Sequence, residues 1–532
     1  MILRKLFVAT VSVALLISPL LAQDQSILRR GNLQDPYTLD PQRISTVYEN
    51  NIILDLFEGL VTVNTAAQLT PGVAESWTVS GDGLKWTFKL RPNLVWSDGI
   101  PLTIEDVIFS FQRLLDPTAR SQYPHLFYSL KNAKDVHSGD KSLEMLGVEA
   151  GGTHKVIFHL ESPVPSLPEL LSNGFSVIVP RHAIEKYGDE WAIPGRMPSN
   201  GAFSLAKWRP QESVKLIRNA NYRGVDDVLL RTIIYVPSED QAAAVAQFRS
   251  GMLDTNMGFP PARTAWLKDN FPDEVRVAPY LITFYLTFNT TKPGLSDSRV
   301  RRALSLAIDR TTLARRVLRS GEQAAWTFVP PYAANYVSPD IGDSSQSLDQ
   351  RLEVARALLA EAGYGKKNPL RFSYSVSSGE DRMRVAHAVV AMWSALDVQV
   401  TLNNTESKVL FSRLRSGDFD VGYAAWAADV NDAANFLGIL HSQSTNSNYS
   451  RFYNSTYDAL LDKAVRAESV KSRNALLSEA EAILLQDVPI APLFYGVSKS
   501  LVSRHVMGWL DNPRDLHLSR YLSFSMQSIS VN

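Results

Sequence analysis

The sequence predicts an α/β fold spread over more than one domain. Three observations carry this: strand-like and helix-like segments alternate, the chain runs to 532 residues, and only short proline- and glycine-rich stretches separate the units. Strands interleaved with helices of this length argue for packed α/β layers. A chain this long outgrows a single hydrophobic core, so two or three domains are expected. Short connections between units are how a hinged pair of lobes would be wired.

Taken in order, the first residues read as a secretory signal. Arg4 and Lys5 supply the positive start, residues 6–17 are nearly all apolar, and Ser18-Pro19 breaks the run before Leu20-Leu21-Ala22. The run is too short to span a bilayer comfortably. Cleavage is expected after Ala22, which leaves an exported, soluble chain. Thr87-Phe88-Lys89-Leu90 alternates polar and apolar side chains, as a half-buried strand does, and residues 155–160 do so less strictly. Residues 104–115 carry apolar side chains at helical spacing after Thr103, an N-cap with Asp106 three residues on. Residues 297–318 read as one helix, with Ala303, Leu304, Ala307 and Ile308 on a single stripe. Residues 348–362 form an amphipathic helix ended by Gly363. Residues 383–396 form another, followed by a strand over 398–402.

Composition excludes several functions. Lys+Arg and Asp+Glu both number 54, so the formal net charge is zero. A nucleic-acid or acidic-membrane surface needs a basic excess, and no nucleic-acid partner is expected. The chain has no cysteine. That removes disulfides, thiol nucleophiles, Cys-rich zinc sites and a lipid anchor on an N-terminal cysteine. The sequence holds no Gly-x-Ser-x-Gly elbow, no His-Glu-x-x-His helix, no Gly-x-x-x-x-Gly-Lys loop and no Gly-x-Gly-x-x-Gly turn. The nine histidines are scattered, and His154 and His159 stand five apart, which on a strand means opposite faces. No metal site, no cofactor and no catalytic residue is expected. Asp82-Gly83 and Asp98-Gly99 read as turns, with Asp bonding its own backbone and Gly supplying positive φ. Ten tryptophans and 19 tyrosines are mostly packing, though large rigid rings also serve as walls for varied ligand side chains.

From Pro71-Gly72-Val73-Ala74-Glu75-Ser76-Trp77 onward the chain resembles a known family. The match continues through Trp86-Thr87-Phe88-Lys89-Leu90-Arg91, Trp96-Ser97-Asp98-Gly99, Pro101-Leu102-Thr103, Glu105-Asp106-Val107 and Phe111-Gln112-Arg113. Leu39-Asp40-Pro41, Leu56-Phe57-Glu58-Gly59-Leu60, Asn200-Gly201-Ala202-Phe203, Val300-Arg301-Arg302-Ala303-Leu304 and Leu358-Leu359-Ala360-Glu361-Ala362-Gly363-Tyr364 follow in the same order. This pattern is similar to that of extracellular solute-binding protein family 5, the periplasmic peptide receptors of ABC transporters, including the murein-tripeptide-binding branch. The resemblance implies a periplasmic-binding-protein fold of two hinged lobes with an extra third domain. It implies a discontinuous lobe 1 over residues 23–57, 182–283 and 495–532. Residues 58–181 would form the additional domain packed on it, and residues 284–494 lobe 2. It also implies a monomer that passes a peptide ligand to permease subunits in the inner membrane.

An unselective peptide receptor must grip what all peptides share. Strand-like pairing serves the backbone, and a buried carboxylate serves the α-ammonium, a charge-assisted bond of roughly 1.5–3 kcal/mol. By resemblance, Asp429 meets the ligand ammonium, with Trp426 beside it. Ala425 and Ala427 bond the ligand through their backbone, Val47 does so from the first lobe, and Tyr123 walls the pocket. Three positions depart from the family pattern. Tyr423 stands where an arginine is usual, Arg382 where a histidine near the ligand carboxylate is usual, and Leu414, between Arg413 and Arg415, where another carboxylate-binding arginine is usual. The C-terminal end of the site is therefore rewritten. This keeps a murein peptide, haem, an opine or a peptide antibiotic open as ligands. A secreted peptidoglycan hydrolase and a chaperone-like or sensory periplasmic protein are the readings from other classes.

Overall fold

A computed structural model describes residues 26–467 and 469–525 of the chain. The expected secretory segment, residues 1–22, lies outside the described residues. An eleven-stranded mixed sheet forms the spine. Its two central strands, Val275–Phe288 and Ile490–Val502, run for 14 and 13 residues. They pair antiparallel with each other. On the flank of Val275–Phe288 lies Val421–Ala427, antiparallel to it, followed by Arg371–Ser377 and Gln399–Thr405 in parallel. On the flank of Ile490–Val502 lie Thr255–Met257, Ile27–Gly31, Thr232–Val236, Ser213–Arg218 and Phe203–Arg209. The two flanks are the sheets of two lobes, and the long central pair joins them.

A separate four-stranded sheet of Ala74–Val79, Lys85–Leu90, Lys155–His159 and Val148–Ala150 builds the additional domain. The expected strands at 87–90 and 155–160 are its paired middle strands. The helix Ile104–Leu115 lies on it, and Phe111 meets Phe158 edge-on at 4.9 Å. Asp106 accepts the Thr103 N–H at 2.9 Å, the contact that starts this helix. Both Asp-Gly steps are turns: Leu84 and Ile100 donate to the Asp82 and Asp98 carboxylates, and Gly83 and Gly99 sit at φ +70° and +87°. The helix Leu348–Glu361 is opened by Ser347 and Gln350 and closed ahead of Gly363, at φ +87°. The helix expected over 383–396 begins earlier, at Glu380–Trp393, and the strand after it is Gln399–Thr405.

One expectation fails. Residues 297–318 are not a single helix but Ser298–Leu306, then Arg310–Thr312 and a wider π turn over Leu313–Leu318. Asp309 is the reason: its carboxylate accepts the N–H and hydroxyl of Thr312 at 3.0 and 2.6 Å and starts a new helix. The apolar stripe survives because Ala303, Leu304, Ala307 and Ile308 are all buried.

Buried polar ties fasten residues 58–181 to chain-distant segments on either side. Glu58 is held by Arg223 at 2.7 and 2.8 Å and by Arg520 at 2.8 Å. Burial works against its ionised form, but the two guanidiniums outweigh it and hold its carboxyl below the usual value. Arg113 forks onto Asp40 at 2.6 and 3.1 Å, both side chains buried.

The central strands slip register where the lobes meet. Pro279 pairs with Val497 and Thr283 with Tyr495, so three residues, Tyr280, Leu281 and Ile282, bulge opposite Gly496. Their backbone groups find other partners. The Tyr332 hydroxyl donates to the Tyr280 carbonyl at 2.8 Å, Leu281 N–H donates to Pro513 at 3.0 Å, and Ala428 N–H donates to Leu281 at 2.8 Å. A Cβ on Gly496 would sit 2.4 Å from Ile282 Cγ2, so only glycine lets the bulge close down.

Candidate ligand-binding site

Two adjoining chambers open beside this bulge. The first, of about 390 Å³, is lined by Val47, Tyr123, Phe175, Tyr280, Asp429 and Arg514 among others. The second, of about 610 Å³, is lined by Phe284, Glu322, Arg382, Arg384, Tyr423 and Phe494 among others. Tyr280, Val497 and Lys499 line both, so they form a waist between the chambers.

Asp429 follows the strand Val421–Ala427 and is placed from both sides. Ala428 is bonded to the central strand, and Val430 is buried in the core of the first lobe and additional domain. Trp426 Nε1 donates to Asn435 Oδ1 at 2.9 Å, and the Asp429 N–H reaches the same oxygen at 3.3 Å. The ring of Trp426 packs on the second-lobe core, so it positions Asn435 and Asp429 and lines neither chamber. Among the described residues no ion pair reaches Asp429. Burial pushes its carboxyl above the usual range, against the pull of the Asn435 amide and the His125 ring. A carboxylate desolvated without a cation is poised to take one from a ligand.

The strand Val421–Ala427 presents an open edge. Its bond from Ala428 N–H to Leu281, with the register Ile282 to Ala427, makes Trp426, Ala424 and Gly422 the residues that bond the central strand. Tyr423, Ala425 and Ala427 therefore turn their N–H and C=O groups the other way. On that side Arg371–Ser377 pairs only as far as Gly422. Beyond it no strand among the described residues occupies the edge, which is the template an extended peptide needs.

The other expected residues divide. Val47 opens the helix Val47–Leu56 at the chamber wall, its entry loop clasped by Glu49, which accepts the N–H groups of Ser45 and Thr46 at 2.9 and 3.1 Å. Tyr123 stands beside it with its ring 4.7 Å from that of Phe175. Tyr423 lines the second chamber with its ring 6.1 Å from that of Phe284, and burial keeps its hydroxyl protonated. Arg382 is exposed at the far end, donating to the Ser378 carbonyl at 2.8 Å, and pairs with no carboxylate among the described residues. Arg413 lines neither chamber: Asp418 takes its guanidinium at 2.9 Å. Leu414 is fully buried in the second-lobe core.

Sequence reasoning missed Tyr280, Glu322, Lys499 and Arg514. Arg514 is buried against Glu169, Ser172 and Asn173 at 3.4, 3.1 and 3.1 Å. Burial, then the carboxylates of Asp515 and Asp429, push the Tyr280 hydroxyl up to about 12, so it remains a donor. The one local signal was the polar step Ser498-Lys499-Ser500 in an otherwise apolar strand.

Two lobes on a shared pair of hinge strands, with an open strand edge and an unpaired carboxylate in the cleft, define a solute-binding protein. The chain belongs to the bacterial extracellular solute-binding proteins, family 5, whose middle-region model matches residues 68–448. It is 35% identical to the periplasmic murein peptide-binding protein of Escherichia coli, over 94% of this chain and 93% of that one. It is 36% identical to the periplasmic oligopeptide-binding protein of Salmonella typhimurium, over 91% and 90% of the two chains. The unliganded open form of a periplasmic murein tripeptide-binding protein superposes with a TM-score of 0.86 at 34% identity, covering 94% of this chain and 98% of that one. These relatives are binding proteins and not enzymes.

Proposed function

We propose that this chain is the periplasmic receptor of an ABC importer and captures short peptides with a free amino terminus. The observation that carries the reading is the unpaired Asp429 carboxylate beside the open strand edge at Ala425 and Ala427. The ligand ammonium sits on Asp429 and its main chain adds a strand to that edge. Tyr423 to Ala427 spans roughly 13 Å at about 3.3 Å per residue, enough for a ligand of about four residues. Its carboxylate then falls near Arg382. Val47 and Tyr123 close the amino-terminal end from the first lobe.

The lobe boundaries at 283/284 and 494/495 are supported by the register slip between Pro279 and Thr283 and by Gly496 opposite it. Lobe closure over the peptide gives the form that inner-membrane permease subunits read. The chain acts as an exported monomer, catalyses nothing and needs no cofactor. The test is calorimetry of the exported chain with tri-alanine and with N-acetyl-tri-alanine. Binding of the first, weakened at least about thirtyfold by acetylation, is expected. Equal binding of both, or of neither, refutes the reading.

A further inference from the structure

The chambers are lined by cations that differ in how fully they are engaged. Arg514 is committed to Glu169, Ser172 and Asn173. Arg384 is paired with Asp381. Arg382 lies at the far end. Lys499 alone among the charged residues lines both chambers, because the other two shared residues are Tyr280 and Val497.

We propose that Lys499 is a specificity-determining cation whose ammonium receives a ligand carboxylate at the waist of the cleft. The inference rests on the peptide-receptor reading and adds to it a preference for an anionic group in mid-cleft. An ammonium has three N–H donors. Two are used: Lys499 Nζ donates to Ser320 Oγ at 2.8 Å and to Glu322 Oε1 at 3.1 Å. The third is left for the cleft. Glu322 does not depend on Lys499 alone, since Ser320 gives it both its N–H, at 3.2 Å, and its hydroxyl, at 2.7 Å. A ligand carboxylate can take the third N–H while Lys499 stays on Glu322, which also keeps both Ser320 donors, so the buried pair need not be broken. The pair also bridges the hinge. Lys499 stands opposite Val277 and its carbonyl accepts the Gly258 N–H at 2.7 Å, both on the first-lobe side of the bulge. Ser320 and Glu322 belong to the second lobe. A ligand carboxylate here therefore touches the element on which closure turns.

Two sources can supply this carboxylate: the free carboxyl end of a short peptide, or an acidic side chain within a longer one. Calorimetry on the exported chain separates them. Tri-alanine is compared with its C-terminal amide, and Ala-Glu-Ala-Ala with Ala-Gln-Ala-Ala. At least one carboxylate-bearing member is expected to bind about tenfold or more tightly than its neutral counterpart, and the pair that shows the gap names the source. The double variant Lys499→Met with Glu322→Gln removes both charges and leaves no stranded carboxylate. It is expected to shrink the gap below about threefold, while Lys499→Arg retains it. The variant's preference for a free over an acetylated amino terminus is a check that the fold and the Asp429 end are intact. A gap absent from the natural chain, or one that survives in the double variant, overturns the proposal and leaves the peptide reading standing. Failure of every peptide to bind the natural chain overturns both.

Discussion

Replacing Asp429 by Asn tests the amino-terminal clamp directly. The side chain keeps its size and its contact with Asn435, so only the charge is lost. No ion pair reaches Asp429 among the described residues, and burial raises its carboxyl above the usual range despite the Asn435 amide and the His125 ring. A ligand ammonium thus supplies the paired charge that it lacks. Truncating one partner of such a desolvated pair costs about 2–5 kcal/mol, or roughly 30- to 4,000-fold in affinity. The low end is expected because the clamp is partly open to water. The pH dependence has a definite sign. The free protein binds a proton at Asp429 more readily than an ordinary carboxylate does, and the ligand ammonium drives that proton off. Affinity of the natural chain should therefore rise with pH from the ordinary carboxylate range through the raised value, then level off. Titration of tri-alanine at several pH values, on the natural chain and on Asp429→Asn, is the assay. Loss of less than about threefold in the variant, or an acid-side slope that the variant retains, would refute the role of this carboxylate.

Other predictions concern the scaffold. Gly496→Ala must push a Cβ into Ile282, and an overpacked site of this kind should lower stability by about 1–3 kcal/mol in denaturant unfolding and weaken ligand-driven closure. Glu481 is buried, accepts the N–H groups of Phe328 and Val329 and the Tyr336 hydroxyl, and burial raises its carboxyl to about 7. Its protonated form favours the fold fully below about pH 4.5, and that contribution is lost by about pH 7, so Glu481→Gln should stabilise the chain by up to about 3 kcal/mol at neutral pH and hardly at all at pH 4. Arg113→Met takes the forked partner from buried Asp40 and leaves it only the longer Arg43 ion pair at 3.6 Å, so it should cost about 3 kcal/mol, the low end for breaking a buried pair, in the same unfolding assay.

What could be read from the sequence was what local chemistry determines. Thr103 with Asp106, and Ser347 with Gln350, start helices within a few residues of themselves, so their boundaries follow from spacing. Asp309 obeys the same chemistry, yet the unbroken apolar stripe around it reads as one helix, because a stripe reports burial and not continuity. The Asp429 end of the cleft was legible through family resemblance in a short contiguous segment. The waist was not: Tyr280 and Lys499 meet through a pairing of strands more than 200 positions apart, and Glu322 joins them from a third segment. Arg413 shows the converse. Its place in the sequence invites a ligand carboxylate, but Asp418, five residues on, already holds it.

The most direct measurement is a crystal structure of the chain with tri-alanine in the cleft. The ligand nitrogen should lie within about 3 Å of an Asp429 oxygen, with main-chain bonds to Ala425 and Ala427. A ligand bound away from Asp429, or one whose backbone leaves that strand edge unpaired, would contradict the proposed mode of capture.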